Sequence, residues 1–284
     1  MKSSDYQHIH LKPMEKMIGA EIKDIDLSEP LNAGAASEIL EATGEFGVTF
    51  FRDQKLTPEQ HLCFARSLGT ININRFFGRV SGHPEIAEVR KDPDQKFNIG
   101  GGWHTDHSYD KSPALGSILL ARTVPQQGGD TLFANMYAAY ESLSSGLKRT
   151  LGQLRAVHSS RHIFGEESPM PADLKDRLGN ADQATQDTSH PVIITHPTSG
   201  RKALYINPGF TVQFEGWSVE ESRPLLKYLY EHASSPEFTY RFHWKEGSIA
   251  FWDNRCTWHY AVNDYHGESR LMHRITLSGC TLES

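Results

Sequence analysis

The chain has 284 residues, 38% of them hydrophobic and 23% charged, which is the composition of a globular protein able to bury one sizeable core. Its 29 Lys and Arg against 35 Asp and Glu leave a net charge of −6, which excludes a generic electrostatic grip on nucleic acid or an anionic membrane and leaves small molecules as the expected partners. No apolar run approaches the roughly 20 residues of a bilayer span, and the opening MKSSDYQHIHLKP lacks the apolar stretch of a secretory signal, so a cytoplasmic location is expected. Cys63, Cys256 and Cys280 show no CxxC spacing; they read as small core residues rather than a disulfide framework or a thiolate zinc site. The surplus in this composition is 15 His, which directs attention to a metal site.

In chain order, Met17 to Leu27 alternates and predicts an early strand and turn. Ala35 to Phe46 has helical apolar spacing stopped by Gly47, and the apolar run Val48 to Phe51 follows as a strand. Thr57 as N-cap with Pro58 at the first helical position predicts a second helix ending at Gly69. From Ile71 to Gly102 the pattern dissolves into Asn, Gly, Pro and Asp, with only Ile86 to Arg90 reading as strand, so a long loop covering a site is expected. Short strands are predicted at Ser117 to Ala121, Asp130 to Ala134, Val192 to Thr195, Ala203 to Ile206, Ser248 to Trp252 and Arg270 to Ser278. Two helices interrupt them, Tyr137 to Leu151 and Ser218 to Ala233, the latter opened by a capping box of Ser218 and Glu221. The polar stretch Pro169 to Ser189 reads as a surface insertion or lid. With no repeat and no linker, residues 1–284 read as one domain, α+β in class, with a mainly β core and helices outside.

The chemistry gathers around GGGWHTDHSY. His104 and Asp106 stand two apart, which on extended backbone sends both side chains to one side, where they could share a metal ion. Three glycines precede them and give the chain unusual freedom at the approach. A third ligand should come from across the fold, and His259, at the end of a strand-like run, is the best candidate. The strand from Arg270 alternates with period two, placing Arg270, Met272, Arg274 and Thr276 on one face. Buried arginines are costly without an anion, supplied either by a protein carboxylate such as Asp253 or Glu268 or by a ligand. Two His and one carboxylate with open positions suit non-haem Fe(II), and an Arg a hairpin away suits an acidic cosubstrate.

The run WHTDHSYDKSPALGSILLARTVPQQGGDTLFANMYAAYESLS, the distant WDNRCTWHYAVNDYHGESRLMHR, and the segments GAEIKDIDLSEPL and GVTFFRDQKLTPEQHLCFARSLG resemble the Fe(II)- and 2-oxoglutarate-dependent dioxygenases of the taurine dioxygenase (TauD/TfdA-like) family across nearly the whole chain. The resemblance implies a double-stranded β-helix, or jelly roll, with Fe(II), 2-oxoglutarate and O2 as the working set and hydroxylation of a substrate C–H with release of succinate and CO2. It implies His104, Asp106 and His259 as iron ligands, Arg270 as the partner of the distal carboxylate of 2-oxoglutarate, and Thr131 as the hydroxyl assisting it. Arg274 falls where members reach an anionic group of the prime substrate or the keto-acid end of the cosubstrate. Asp106 stands where related halogenases have a small residue, so halogenation is disfavoured. A homodimer or homotetramer is implied as well.

The resemblance thins at the substrate pocket. Asn74 and Phe77 stand where taurine dioxygenases carry a His and a Tyr, and Gly100 replaces a substrate-contacting Asn, so taurine itself is not the expected substrate. Phe164 and Phe210 match pocket-wall positions, which with Phe77 and Arg274 points to a small anionic molecule with a more apolar body: a carboxylate, sulfonate, sulfate ester or aryloxyalkanoate. Core packing explains each Phe alone equally well. Trp103, Trp252 and Trp258 flank the ligands and Asn207 falls near the site, while His107, His158, His162, His196, His243 and His273 receive no catalytic role. A zinc-dependent hydrolase using the same three ligands, or a non-catalytic jelly-roll binder of an organic acid, are the alternatives; Arg270 and Thr131 at cosubstrate spacing argue against the first.

Overall fold

Local chemistry sets the helices in the computed structural model, which describes residues 6–14 and 17–284; Met1 to Asp5, the start of the stretch read for a signal, lie outside these. After strands β1 (His10–Pro13) and β2 (Ala20–Lys23), helix α1 (Ala33–Phe46) opens where the Asn32 side chain accepts from Ala35 N, two residues before the expected start. Strand β3 (Val48–Phe51) leads to α2 (Pro58–Leu68), where Thr57 and Gln60 form a capping box.

The segment expected as a long loop carries more strand than its composition suggests: β4 (Ile71–Asn72), β5 (Arg79–Val80) and the nine-residue β6 (His83–Lys91). The stretch Ile86 to Arg90 read as strand lies within β6, whose Ala87–Lys91 pair with β17, while its first residues turn back as a hairpin onto β5, with His83 opposite Val80. Then come β7 (Gly116–Thr123) and β8 (Thr131–Asn135). The single helix expected over Tyr137 to Leu151 is two, α3 (Met136–Glu141) and α4 (Ser145–Leu151), because Ser142 Oγ turns back to Ala139 O and Ser144 caps a new start at Leu147 N.

Strand β9 (Arg155–Ser159), unanticipated, is followed by one-turn helices α5 (Arg161–Phe164) and α6 (Ala172–Lys175) and by β10 (Asp187–Pro191), which overlaps the end of the polar insertion. Strands β11 (Ile193–Thr195), β12 (Lys202–Leu204) and β13 (Thr211–Phe214) precede α7 (Val219–Ala233), whose Ser218 and Glu221 form the expected capping box. Strands β14 (Thr239–Phe242), β15 (Ile249–Asp253), β16 (Thr257–Ala261) and β17 (Arg270–Leu277) complete the described chain.

The large sheet runs β1-β2-β3-β15-β7-β17-β6-β5, with β4 also on β17; smaller sheets are β14-β8-β16, β10-β9-β13 and β11-β12. Parity along the strands assigns their faces. Phe50, Leu119, Ala121, Ala250, Trp252 and Met272 of the large sheet pack against Phe133 and Phe242 of the β14-β8-β16 sheet. The Phe50 and Phe242 rings stack at 4.1 Å between centroids. The alternate residues Phe51, Ile118, Leu120, Ile249, Phe251, Ile275 and Leu277 point the other way, under α1 and α2. On the small sheet Ala134 and Trp258 likewise face α3 and α7. Two facing sheets with helices outside are the jelly roll expected from the sequence. Of the cysteines only Cys256 is buried; Cys63 and Cys280 are exposed, against the expectation of three core residues.

Candidate active site

The inner face of β17 is the face of Met272, and by the period of two Arg270 and Arg274 share it. The inner face of β8 is that of Phe133, which Thr131 shares, and on β16 His259 alternates with the outward Trp258. Backbone bonds pair His104 with His259, His104 N to His259 O at 3.1 Å and His259 N to His104 O at 2.8 Å, and so bring the distant histidines side by side. Their ring centroids lie 4.0 Å apart.

One ligand atom from each of His104, Asp106 and His259 lies within 4.8 Å of the others. Nε2 of His104 is 3.7 Å from Asp106 Oδ1 and Nε2 of His259 is 3.7 Å from Oδ2, so both imidazoles present nitrogen to one carboxylate. Nδ1 of His104 donates to Gly102 O at 2.8 Å, which fixes the tautomer and leaves the Nε2 lone pair facing the centre. Burial pushes His104 below its ordinary pKa, and burial with the neighbouring His104 pushes His259 further, so both rings are neutral near pH 7. Burial alone would raise Asp106; Arg274, then His259 and His104, outweigh it and hold the carboxyl well below its usual range. Two neutral imidazoles that turn Nε2 toward one ionised carboxylate fit a divalent metal.

Close approach here requires glycine at two places. Gly100 has φ 79°, and a Cβ on Gly209 would lie 2.7 Å from His104 Cβ. Just past Asp106 the chain turns through His107 at φ 56°, a left-handed conformation held by His107 Nδ1 donating to Asp110 Oδ2 at 3.0 Å.

A cavity of about 560 Å³ opens from these three residues. Asn74, Phe77, Phe164 and Phe210 all line it, as do Thr131, Arg270 and Arg274. Arg270 is buried, donates Nε–H to Gly129 O at 3.0 Å and leaves Nη2 without a partner. Thr131 Oγ1 accepts from Trp244 Nε1 at 3.0 Å, so its own hydroxyl hydrogen is free to turn elsewhere. Neither carboxylate considered as a protein counterion meets these arginines: Asp253 takes Arg255 Nε and Nη2 at 2.9 and 2.5 Å, and Glu268 accepts from Gln126 N. Arg274 instead lies 3.1 Å from Asp106.

The two segments read as covers meet over the cavity. Asp173 Oδ2 accepts from Lys96 N and Phe97 N at 2.9 and 3.1 Å, and Arg177 Nη1 donates to Arg90 O at 2.8 Å. Phe97, Met170, Leu174 and Leu178 thereby join the wall. Asn207 lies behind it, donating to Ser108 Oγ at 3.0 Å. Trp252 and His259 rings lie 4.5 Å apart, so this tryptophan does flank the centre.

Sequence reasoning missed three residues. Ser117 Oγ donates to Asp106 Oδ2 at 2.9 Å; its parity with the inward Leu119 and Ala121 was the available signal. His107, given no role, lines the cavity and accepts from Asn74 Nδ2 at 3.3 Å. Asn254, in the turn before β16, holds the backbone of the ligand segment, and nothing local announces it. A second cluster, His196, Asp253 and Cys256, lies equally close together, but Arg255 occupies its carboxylate and His196 Nδ1 accepts from Ser199 N at 3.1 Å, so it is a structural network.

The family described as taurine catabolism dioxygenase TauD, TfdA matches residues 10–276. The chain belongs to that family. It is 37% identical to an alkylsulfatase of Acinetobacter baylyi over 96% of this chain and 86% of the relative, and 34% identical to an alpha-ketoglutarate-dependent sulfate ester dioxygenase of Pseudomonas putida over 95% and 90%. The crystal structure of a taurine dioxygenase from Burkholderia xenovorans superposes with a TM-score of 0.81 at 36% identity, covering 97% of this chain and 93% of that one. As a TauD/TfdA member the chain is a 2-oxoglutarate-dependent non-haem iron dioxygenase working with Fe(II), 2-oxoglutarate and O2, which sets aside the zinc hydrolase and the silent binder. No helix among the described residues is long and apolar enough to cross a membrane.

Proposed function

We propose that His104, Asp106 and His259 hold Fe(II), that Arg270 with Thr131 and Arg274 receives 2-oxoglutarate, and that the substrate lies against Asn74, Phe77, Phe164 and Phe210. The observation that carries this is the convergence of three ligand atoms within 4.8 Å at the inner end of a cavity holding Arg270, a buried cation with an unpartnered Nη2. Bound there, Fe(II) supplies the redox centre for a balanced reaction in which R–H, O2 and 2-oxoglutarate give R–OH, succinate and CO2. Arg270 supplies a charge-assisted donor for the distal carboxylate and Thr131 a hydroxyl beside it. The aromatic wall orients the C–H and excludes water, which is the protein's main task in cofactor chemistry.

The substrate of this reading is a small organic anion with an apolar body: a sulfate ester, sulfonate, carboxylate or aryloxyalkanoate. Phe77, Phe97, Phe164, Met170 and Leu174 supply the apolar surface, and Arg274, whose Nε has no partner, supplies the cationic contact. Taurine, short and zwitterionic, would leave most of that wall uncovered. The named activities of the sulfate ester relatives support the first of these classes. We further infer that residues 1–284 act as one domain, in the cytoplasm, where exposed Cys63 and Cys280 remain thiols, and as a homodimer or homotetramer, to be read by light scattering.

The test is an anaerobic titration of the protein with Fe(II) and then 2-oxoglutarate. A weak visible charge-transfer band on adding the keto acid, followed in air by succinate release with an alkyl sulfate ester above that with taurine, is the expected result. Iron binding with no such band would remove the cosubstrate assignment of Arg270, and equal turnover of taurine would remove the substrate class.

A further inference from the structure

Asn254 lies in the turn between β15 and β16, 1% exposed, behind the wall of the cavity and not part of its lining. Its side-chain oxygen accepts from Trp252 Nε1 at 2.9 Å and from Asp106 N at 3.3 Å. Its backbone oxygen accepts from Thr105 Oγ1 at 2.6 Å, and its backbone N–H donates to Leu115 O at 2.9 Å. One residue thus grips the chain at Thr105 and Asp106, while the paired bonds to His259 grip His104 itself. Trp252, oriented by the same oxygen, packs its ring 4.5 Å from that of His259.

A buried polar network braces the turn. Asp253 and Arg255 form a buried ion pair around it, and His196 Nε2 meets Asp253 Oδ2 at 3.1 Å. Such a turn is a fixed platform, and the bonds from Asn254 transfer its position to the H-x-D segment.

We propose that Asn254 is a positioning residue that sets the reach of Asp106 and the plane of His259, so that the three ligand atoms converge before the metal arrives. The inference rests on the metal assignment above. Preorganisation of this kind shows as affinity, since a segment free to sample other conformations must be ordered on binding.

The experiment measures Co(II) binding to the metal-free protein by quenching of tryptophan fluorescence, alongside thermal unfolding. Asn254→Ala is expected to weaken Co(II) by roughly tenfold or more, in the range found for residues supporting metal ligands. Thr105→Val, which removes the hydroxyl with little change of shape, is expected to weaken it by a smaller factor with the unfolding midpoint unchanged. Asn254→Asp, which keeps the acceptor, is expected to restore affinity. Wild-type affinity in both Asn254→Ala and Thr105→Val overturns the proposal, as does weakening that Asn254→Asp leaves unrepaired. If the wild-type protein itself fails to bind Co(II), the metal assignment falls, and this inference with it.

Discussion

Nη2 of Arg274 lies 3.1 Å from Oδ1 of Asp106, with both side chains buried, so the carboxylate of the proposed metal-binding trio is charge-balanced by the protein itself. The same pair sets up a competition, because a cation beside Asp106 opposes a second cation on it. Breaking a buried pair leaves an uncompensated charge and costs about 3–5 kcal/mol. Arg274→Met is therefore expected to lower the stability of the metal-free protein by about that amount. Saturating Co(II) should recover more stability in the variant than in the wild type. Urea unfolding with and without the metal checks both, and an equal metal effect in the two proteins would show that Arg274 does not oppose it.

Arg270 differs from Arg274 in forming no ion pair among the described residues: it donates to Gly129 O and lies over the face of Trp244 at 5.8 Å. Arg270→Met should weaken 2-oxoglutarate binding by about 1.5–3 kcal/mol, roughly 10- to 100-fold, the range for a hydrogen bond to a charged group. Metal affinity without the keto acid should stay unchanged. Isothermal titration with each in turn separates the effects, and unchanged 2-oxoglutarate affinity would transfer the role to Arg274.

Phe77 lies on the cavity wall with Arg274 over its ring at 5.2 Å. Phe77→Ala should raise KM for an apolar sulfate ester by roughly 10- to 100-fold, since covering an aromatic side chain contributes roughly 1.5–3 kcal/mol. The affinity for 2-oxoglutarate should change little. A KM unaffected by the change would place the substrate elsewhere in the cavity.

His61 is fully buried with neither ring nitrogen partnered, and burial, then His273 and Arg122, push its pKa down to about 3. The folded protein keeps this ring neutral where the unfolded chain protonates it near pH 6.5. The unfolded state therefore binds more protons between about pH 6.5 and 3, and stability falls as pH is lowered through that window. Between pH 7 and 5 this one residue should account for about 2 kcal/mol of lost stability. His61→Leu should flatten the dependence by that amount in urea unfolding at the two pH values; an unchanged slope would show that His61 does not carry it.

Much of the fold was legible where the signal is local. The caps at Thr57 and Ser218 and the strand from Arg270 follow from contacts within a few residues, and the structure places them as read. The misreadings fall where distant partners decide. Ile86 to Arg90 reads as strand and lies in β6, but the Pro and Gly around it hide the hairpin with Arg79–Val80 that carries the strand back to His83. The break in Tyr137 to Leu151 escaped a pattern that tracks apolar spacing and overlooks serines bonding to their own backbone.

The site divides the same way. By itself the sequence determined the chemistry on offer: two His and one Asp at ligand-like positions, two Arg on one face of a strand, and a spacing shared with a known family. Side-chain type and strand parity are properties of the chain, and they survive without coordinates. Only the tertiary structure decided which groups those residues meet. Ser117 on Asp106, Asn254 beneath the ligand segment, and Arg274 beside Asp106 while Arg270 keeps a free Nη2 all depend on strand register and on turns packed from far along the chain. Register depends on long-range packing, where a shift of one residue turns every side chain to the opposite face, and no window of local sequence contains that information.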